Sequence, residues 1–381
     1  IRALGAQFGA ANGWERASWY AHAGDDTSEE STQTFRREGP WQKRIREECL
    51  AVRDAAGILD LPGFSRFELN GPGAAEWLDG QITGSVPKPG RIGLAYFADE
   101  KGRIVTEMSV VRHSEDAMTL ITAAVAQLHA FEWLRRHMPD DAPFTLTDRT
   151  EEYSTQILSG PKSREILAEV CAADLAMPWL THQETAIAGR PVRLIRVSFA
   201  GELGWEVHTK VVDTPAVFDA MWKAGQKHGL KPFGMFALDS LRLEKGYRAW
   251  KQDLSTDYSA LQGGMERFVR WQKPDFRGKT ALANEKQQGV SKRFVTLVVE
   301  SPGECDAPYM STLWHDGKIV GETLSGGWGH RIDKSIALGM LRADLTEPGS
   351  TVEIEIFGDR FKAIVQKDEP LWDPDNQRLK A

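Results

Sequence analysis

The chain has 381 residues, 41% apolar and 27% charged. That length leaves room for two or three packed units at roughly 100–200 residues each, and the composition excludes wholesale disorder. Fifty-four acidic against forty-seven basic side chains give a formal net charge of -7, which lacks the electrostatic footprint of a nucleic-acid partner. No apolar run approaches the ~18 residues that span a bilayer, so no membrane partner is expected.

Residues 1–40 are rich in Gly and Ala, carry Trp14, Trp19 and Tyr20, and pass into the acidic stretch from Asp25 to Glu30; they read as a connector lying on something else. Trp41, Ile45, Cys49 and Val52 recur at helical spacing, which predicts a helix to Ala56 with Gly57 as its stop. Ser65 to Leu69 is extended in character, followed by Asn70-Gly71-Pro72-Gly73 and an amphipathic stretch from Ala74 to Ile82. The same strand, turn and helix recur in Thr155 to Leu158, Ser159-Gly160-Pro161 and Ser163 to Val170, an internal echo. The first turn is not a dinucleotide cradle, because Glu76 replaces the third glycine and Pro72 lacks an N–H donor.

Between the echoes, Arg91 to Ala98, Arg103 to Arg112 and Ala117 to Thr122 predict an antiparallel meander, closed by a helix from Leu128 to Met138. Residues 191–198 and 205–209 predict a hairpin. Thr214 as N-cap and Pro215 open a helix to Gly225 with Val217, Phe218, Met221 and Trp222 on its buried side, and a second helix runs from Ala237 to Tyr247. Beyond about Lys286, six short strands (Phe294 to Val299, Thr312 to Trp314, Lys318 to Thr323, Ile336 to Leu341, Val352 to Phe357 and Phe361 to Gln366) predict a small β-barrel. The domain boundaries expected are 1–40, 41–286 and 287–381.

Cys49, Cys171 and Cys305 are odd in number and far apart, which argues against a disulfide framework and for a reducing compartment, the cytoplasm or, in a eukaryote, the mitochondrial matrix. Nothing at Ile1 reads as a secretory leader, and the missing initiator Met fits a fragment of a longer chain. The nine histidines show no HExxH or short chelating pair, so no metal is expected.

Alternation along Ile104 to Val111 puts Val105, Glu107, Ser109 and Val111 on one face and Met108 on the other. A carboxylate in so apolar a strand needs a cation, a donor or a ligand, so Glu107 is either structurally paired or a site residue. In the hairpin from Ser198 to His208, Glu202 falls in the turn and reads as solvated. Glu206 shares a strand face with His208. A carboxylate there can meet adjacent ring and amino N–H donors of a flat heterocycle bidentately, or simply face solvent. Arg242 stands beside the apolar stripe of its helix, where it pairs internally or grips an anion.

At these residues the sequence resembles the aminomethyltransferase, or T-protein, family of the glycine cleavage system. Within it the chain is similar to the carboxy-terminal half of dimethylglycine and sarcosine dehydrogenases. Gly13-Trp14-Glu15-Arg16, Gly102-Arg103-Ile104, the Ser198 to Glu206 hairpin and Leu241-Arg242-Leu243-Glu244-Lys245 carry the resemblance, which spans nearly the whole chain. It implies an α+β, three-lobed fold of antiparallel sheets flanked by helices, with a C-terminal β-barrel, around a tetrahydrofolate site. It also implies that Glu107 is the catalytic carboxylate near the folate nitrogens, that Glu206 grips the pterin and that Arg242 binds the ligand, with Met108, Ser109, Val207 and His208 lining the pocket. Phe199 stands where the family commonly has tyrosine, and Glu107 where it usually has aspartate. The activity implied is capture of an iminium or formaldehyde equivalent from a dimethylglycine- or sarcosine-type N-methyl amine, giving 5,10-methylenetetrahydrofolate. The alternatives are a folate-dependent demethylase acting on an S-, N- or O-methyl donor, and a non-catalytic folate-binding module that traps formaldehyde. The partners are a small one-carbon donor and a fused or associated oxidase or demethylase domain. FAD enters only with an upstream oxidase half, since no dinucleotide fingerprint is present.

Overall fold

The computed structural model describes residues 1–32 and 34–381. Two antiparallel-type sheets and a barrel make up its three lobes. The first sheet has five strands in the order Ile92–Ala98, Ile104–Arg112, Ala117–Thr122, Ser65–Asn70, Thr145–Asp148. The second has six, in the order His182–Ile187, Arg190–Ile195, Gly204–Lys210, Tyr153–Ser159, Ala56–Leu61, Leu230–Pro232; the last pair is parallel and the rest antiparallel. The third lobe is a closed six-stranded barrel; its strands match the six expected runs, four in full and the last two, Thr351–Ile356 and Asp359–Val365, ending one residue early. Closure leaves no open sheet edge.

The internal echo is the architectural key, because each copy belongs to a different sheet. Ser65–Asn70 feeds the helix Ala74–Gln81, and Tyr153–Ser159 feeds Ser163–Val170. In both turns a glycine has φ above +120°, Gly71 at 132° and Gly160 at 123°. A Cβ on either would sit 2.7 Å from the Pro143 carbonyl oxygen or 2.6 Å from that of Val52, so only glycine fits both the dihedral and the space. The helices cover the outer faces. Met108, Val110, Leu120 and Phe67 meet Leu78 and Leu134 in one core, and Trp205, Val207 and Leu158 meet Leu167, Val217 and Met221 in the other.

Several expectations change. The segment read as a connector contains a hairpin, Ala6–Ala11 against Trp14–Tyr20, with Trp19 and Tyr20 buried. Glu48 clamps it: the buried carboxylate accepts from the backbone N–H groups of Tyr20 and Gly234, both at 2.8 Å. The Trp41 helix spans Pro40–Asp54, and Gly57 lies inside the following strand. A Cβ there would come within 2.5 Å of Val52 and 2.6 Å of Phe233, so Gly57 serves close packing, not helix termination. Thr214 is the first helical residue and not the cap; its hydroxyl turns back to the Lys210 carbonyl at 3.3 Å, and Asp213 takes the N-cap position without a side-chain bond. A helix at Lys279–Gln288 and short strands such as Leu230–Pro232 had no periodicity strong enough to announce them.

Glu202 corrects a larger misreading. Its side chain is 1% exposed and ion-paired to Arg331 at 2.9 Å and Arg378 at 2.7 Å. Arg331 also pairs with buried Glu244 and donates to the Ala200 and Leu241 carbonyls. The turn is therefore wrapped by the barrel and the C-terminal segment instead of by water.

Candidate functional site

The inner faces of the two sheets meet. Ile92, Val111 and Ile121 of the first pack with Ile195 of the second, with Phe64, Leu180 and Val197 partly buried against them. Strand alternation then decides which other side chains share these facing sides. Across the first sheet Ile92 pairs with Val111, Leu94 with Ser109 and Tyr96 with Glu107, so Glu107, Ser109, Tyr96 and Leu94 lie on the inner face. Ile195 pairs with Glu206, which puts Glu206, and His208 two residues on, on the facing wall. Glu107 and Glu206 therefore lie on the faces that the two sheets turn toward each other.

Met108 and Val207 do not join them. Each is on the outer face of its strand, 1% and 0% exposed, inside its own lobe's core. Phe199, 37% exposed, stacks on Tyr247 with ring centroids 5.8 Å apart and planes at 22°. The ring contributes a flat apolar surface without the tyrosine hydroxyl.

Glu107 is half-buried by surface area, yet protein closes round it on most sides. Burial pushes its carboxyl up to about 7, opposed by a hydrogen bond from Tyr96 and assisted by the negative charge of Asp253. No basic side chain ion-pairs with it among the described residues. A carboxyl poised near neutrality at a cleft can accept a proton in one step and return it in the next.

Arg242 is 0% exposed. Its guanidinium donates to Asp239 at 2.7 Å, the Tyr247 carbonyl at 3.0 Å, Asp253 at 2.5 Å and the Ser325 hydroxyl at 2.8 Å. Four of five N–H donors are thus committed within the protein. Ser325 in turn donates to Asp253 at 2.6 Å. It reaches the centre from the barrel strand Lys318–Gly329 at a register shift between Thr323 and Ser325, the kind of irregularity that re-aims a side chain. Arg242 therefore knits helix, loop and barrel together behind Glu107.

On the other wall His208 is 2% exposed, and its Nε2 lies 2.9 Å from Glu206 Oε2. Burial, then the charge of Arg66, pulls the imidazole down to about 4, so it is neutral at physiological pH. Arg66, reaching across from the first sheet, contacts His208 Nδ1. Tyr96, Asp253, Arg66 and Ser325 escape sequence reading. For Tyr96 the turn Asp99-Glu100-Lys101-Gly102 is no guide, since a register shift between Phe97 and Ala98 is what sets Tyr96 opposite Glu107. Two open depressions of about 490 Å³ lie elsewhere, one at Ile1, Arg16 and Asp60 and one at Gly80 and Arg277. Neither shares the chemistry of the cleft.

With this geometry in hand, the comparisons decide the family. Residues 1–273 match the GCVT N-terminal domain and residues 292–373 the glycine cleavage T-protein C-terminal barrel domain. The chain belongs to the glycine cleavage T-protein family. By family it is an aminomethyltransferase-type, folate-dependent domain. This T-protein domain is 32% identical to human mitochondrial dimethylglycine dehydrogenase over 373 residues, 96% of this chain and 43% of that one. It is 31% identical to the 4-methylaminobutanoate oxidase (formaldehyde-forming) of Paenarthrobacter nicotinovorans, covering 99% of this chain and 46% of that one. Against the aminomethyltransferase of Bacillus velezensis the identity is 29%, over 84% and 88% of the two chains. It thus spans less than half the length of the curated dehydrogenase and oxidase relatives. The aminomethyltransferase T of Bartonella henselae superposes with a TM-score of 0.84 at 21% identity, over 98% and 96% of the chains, which establishes the three-lobed fold. Among the described residues no helix is long and apolar enough to cross a membrane.

Proposed function

We propose that this T-protein domain is the one-carbon-accepting unit of an amine-oxidising system, taking an iminium or formaldehyde equivalent from a dimethylglycine- or sarcosine-type N-methyl amine and giving 5,10-methylenetetrahydrofolate. What supports the reading is that Glu107 and Glu206 lie on the facing sides of two sheets that touch at Ile92, Val111, Ile121 and Ile195, which we take to wall one cleft. The donor set fits a reduced pterin. Among the described residues no side chain is seen to bond Glu206 Oε1, Glu107 has no cation, and Leu94 and Phe199 offer exposed apolar surface. Such a cleft suits a flat ligand rich in N–H donors. Tetrahydrofolate supplies, when bound, two neighbouring amines that take up the carbon.

The residues do the rest. Glu206 grips paired N–H groups and sets the plane of the ring. Phe199, backed by Tyr247, walls the cleft. Glu107 stabilises positive charge at the reacting nitrogens and accepts the proton they release, a role its position near neutrality favours. Orientation contributes most, since two dilute reactants become one aligned pair. The relatives' greater length supports an attached or associated oxidase half, where a flavin would reside, supplying the carbon unit.

The test is a product assay on this chain with tetrahydrofolate and formaldehyde. Formation of 5,10-methylenetetrahydrofolate faster than the uncatalysed condensation, abolished in Glu107→Gln, is expected. A rate equal to background, or 5-methyltetrahydrofolate from a methyl donor, overturns the reading.

A further inference from the structure

Arg66 poses a problem that the reading above leaves unsolved. It is 4% exposed, its Nε has no hydrogen-bond partner, and no carboxylate lies within ion-pairing distance among the described residues. A buried guanidinium without a counter-ion is costly. Its neighbours are the Tyr153 ring, 4.6 Å from the guanidinium carbon, and Nδ1 of His208 on the opposite sheet.

An arginine can donate hydrogen bonds and cannot accept them. Nδ1 of His208 must therefore be the acceptor, and the Thr155 hydroxyl, 3.1 Å from the same nitrogen, adds a second donor. A neutral imidazole has a single ring proton, so it sits on Nε2, pointing at Glu206 Oε2 2.9 Å away. The other charged groups facing the ring are Glu206 on its own strand and Arg193 on the adjacent one; burial and the two arginines outweigh Glu206 and keep the imidazole neutral.

We propose that Arg66, Thr155 and His208 form a tautomer lock that aims Glu206. Arg66 and Thr155 fix Nδ1 as acceptor, Nε2–H holds Oε2, and the remaining carboxylate valences, Oε1 foremost, are presented to the cleft. His208 and Arg66 are then positioning residues. The lock selects ligands that offer N–H donors over those offering acceptors, since carboxylate oxygens accept and the one imidazole N–H is already committed to Oε2. It also couples the lobes, because the lock closes only while the Arg66 strand stays seated against the His208 strand. This inference rests on the assignment of Glu206 as the pterin-gripping carboxylate.

The test combines a tautomer readout with a binding readout on the full chain. With ¹⁵N-labelled histidine, His208 should show a protonated Nε2 and a bare Nδ1 across about pH 5 to 8, without ligand. An Nδ1–H tautomer, or an imidazolium in that range, overturns the lock. The Arg66→Met, Thr155→Val double variant should lose the single tautomer and weaken tetrahydrofolate binding roughly tenfold, equivalent to about 1.4 kcal/mol, whereas Arg66→Lys should recover most of the affinity. Unchanged tautomer and affinity in the folded double variant overturn the proposal. If that variant does not fold, His208→Gln, which keeps an N–H donor, should bind more tightly than His208→Leu; equal affinities overturn it. Failure of the wild-type chain to bind tetrahydrofolate while the Nε2–H tautomer persists would sink the folate assignment and leave the lock standing.

Discussion

The two facing sheets carry the same functional group and treat it in opposite ways. Glu107 is set among apolar strand neighbours with Tyr96 as its donor and Asp253 as a repelling charge, and is driven up to about 7. Glu206 is given a histidine partner that an arginine backs from across the cleft. On the roles proposed above, one carboxyl is ready to change its proton and the other is held in one orientation. Environment, not residue type, divides the labour.

The comparison can be broken at Glu107 with the largest effect. Glu107→Gln should lower kcat by about 10²- to 10⁴-fold, the range for losing a general base, while calorimetry finds tetrahydrofolate affinity little changed. The pH profile sharpens this. Because the carboxyl keeps its proton up to about 7, the base form grows as pH rises through that value, so wild-type turnover should climb across it and the limb should vanish in the variant. Next, Arg242→Ala should cost roughly 3–5 kcal/mol of stability, the range for stranding a buried charge, here Asp253. Urea unfolding measures it, and an undiminished midpoint with impaired ligand affinity would show Arg242 to be a ligand contact and not a brace. Glu206→Ala should weaken tetrahydrofolate binding by about 1.5–3 kcal/mol, the worth of hydrogen bonds to a charged group, leaving the pH limb in place. The smallest effects on ligand binding belong to Met108→Leu and Val207→Ile. Both side chains face lobe cores, so calorimetry should find tetrahydrofolate affinity unchanged, with a stability shift below about 1.5 kcal/mol for the volume-conserving Met108→Leu and about 1–3 kcal/mol for Val207→Ile, which adds a methylene to a packed core.

What was legible in the sequence is what local chemistry determines. The barrel strands, the meander and the helix from Thr214 follow from periodicity and turn residues. Alternation alone separates Met108 from Glu107, although the family resemblance groups them as pocket neighbours. Long-range pairing leaves no such trace. Glu202 sits in a turn and reads as solvated, because its partners Arg331 and Arg378 lie 129 and 176 residues away. Arg66 and His208 are separated by 142 residues, and nothing near either announces the other. Arg242 was narrowed to two roles by its place on the helix; the choice needed Asp253 and Ser325, which the fold brings to it from a loop and from the barrel.

Ser325 has a consequence for engineering. A single hydroxyl from the last lobe completes the bracing behind Glu107, so shortened versions ending before the barrel should be poor catalysts even where they remain soluble.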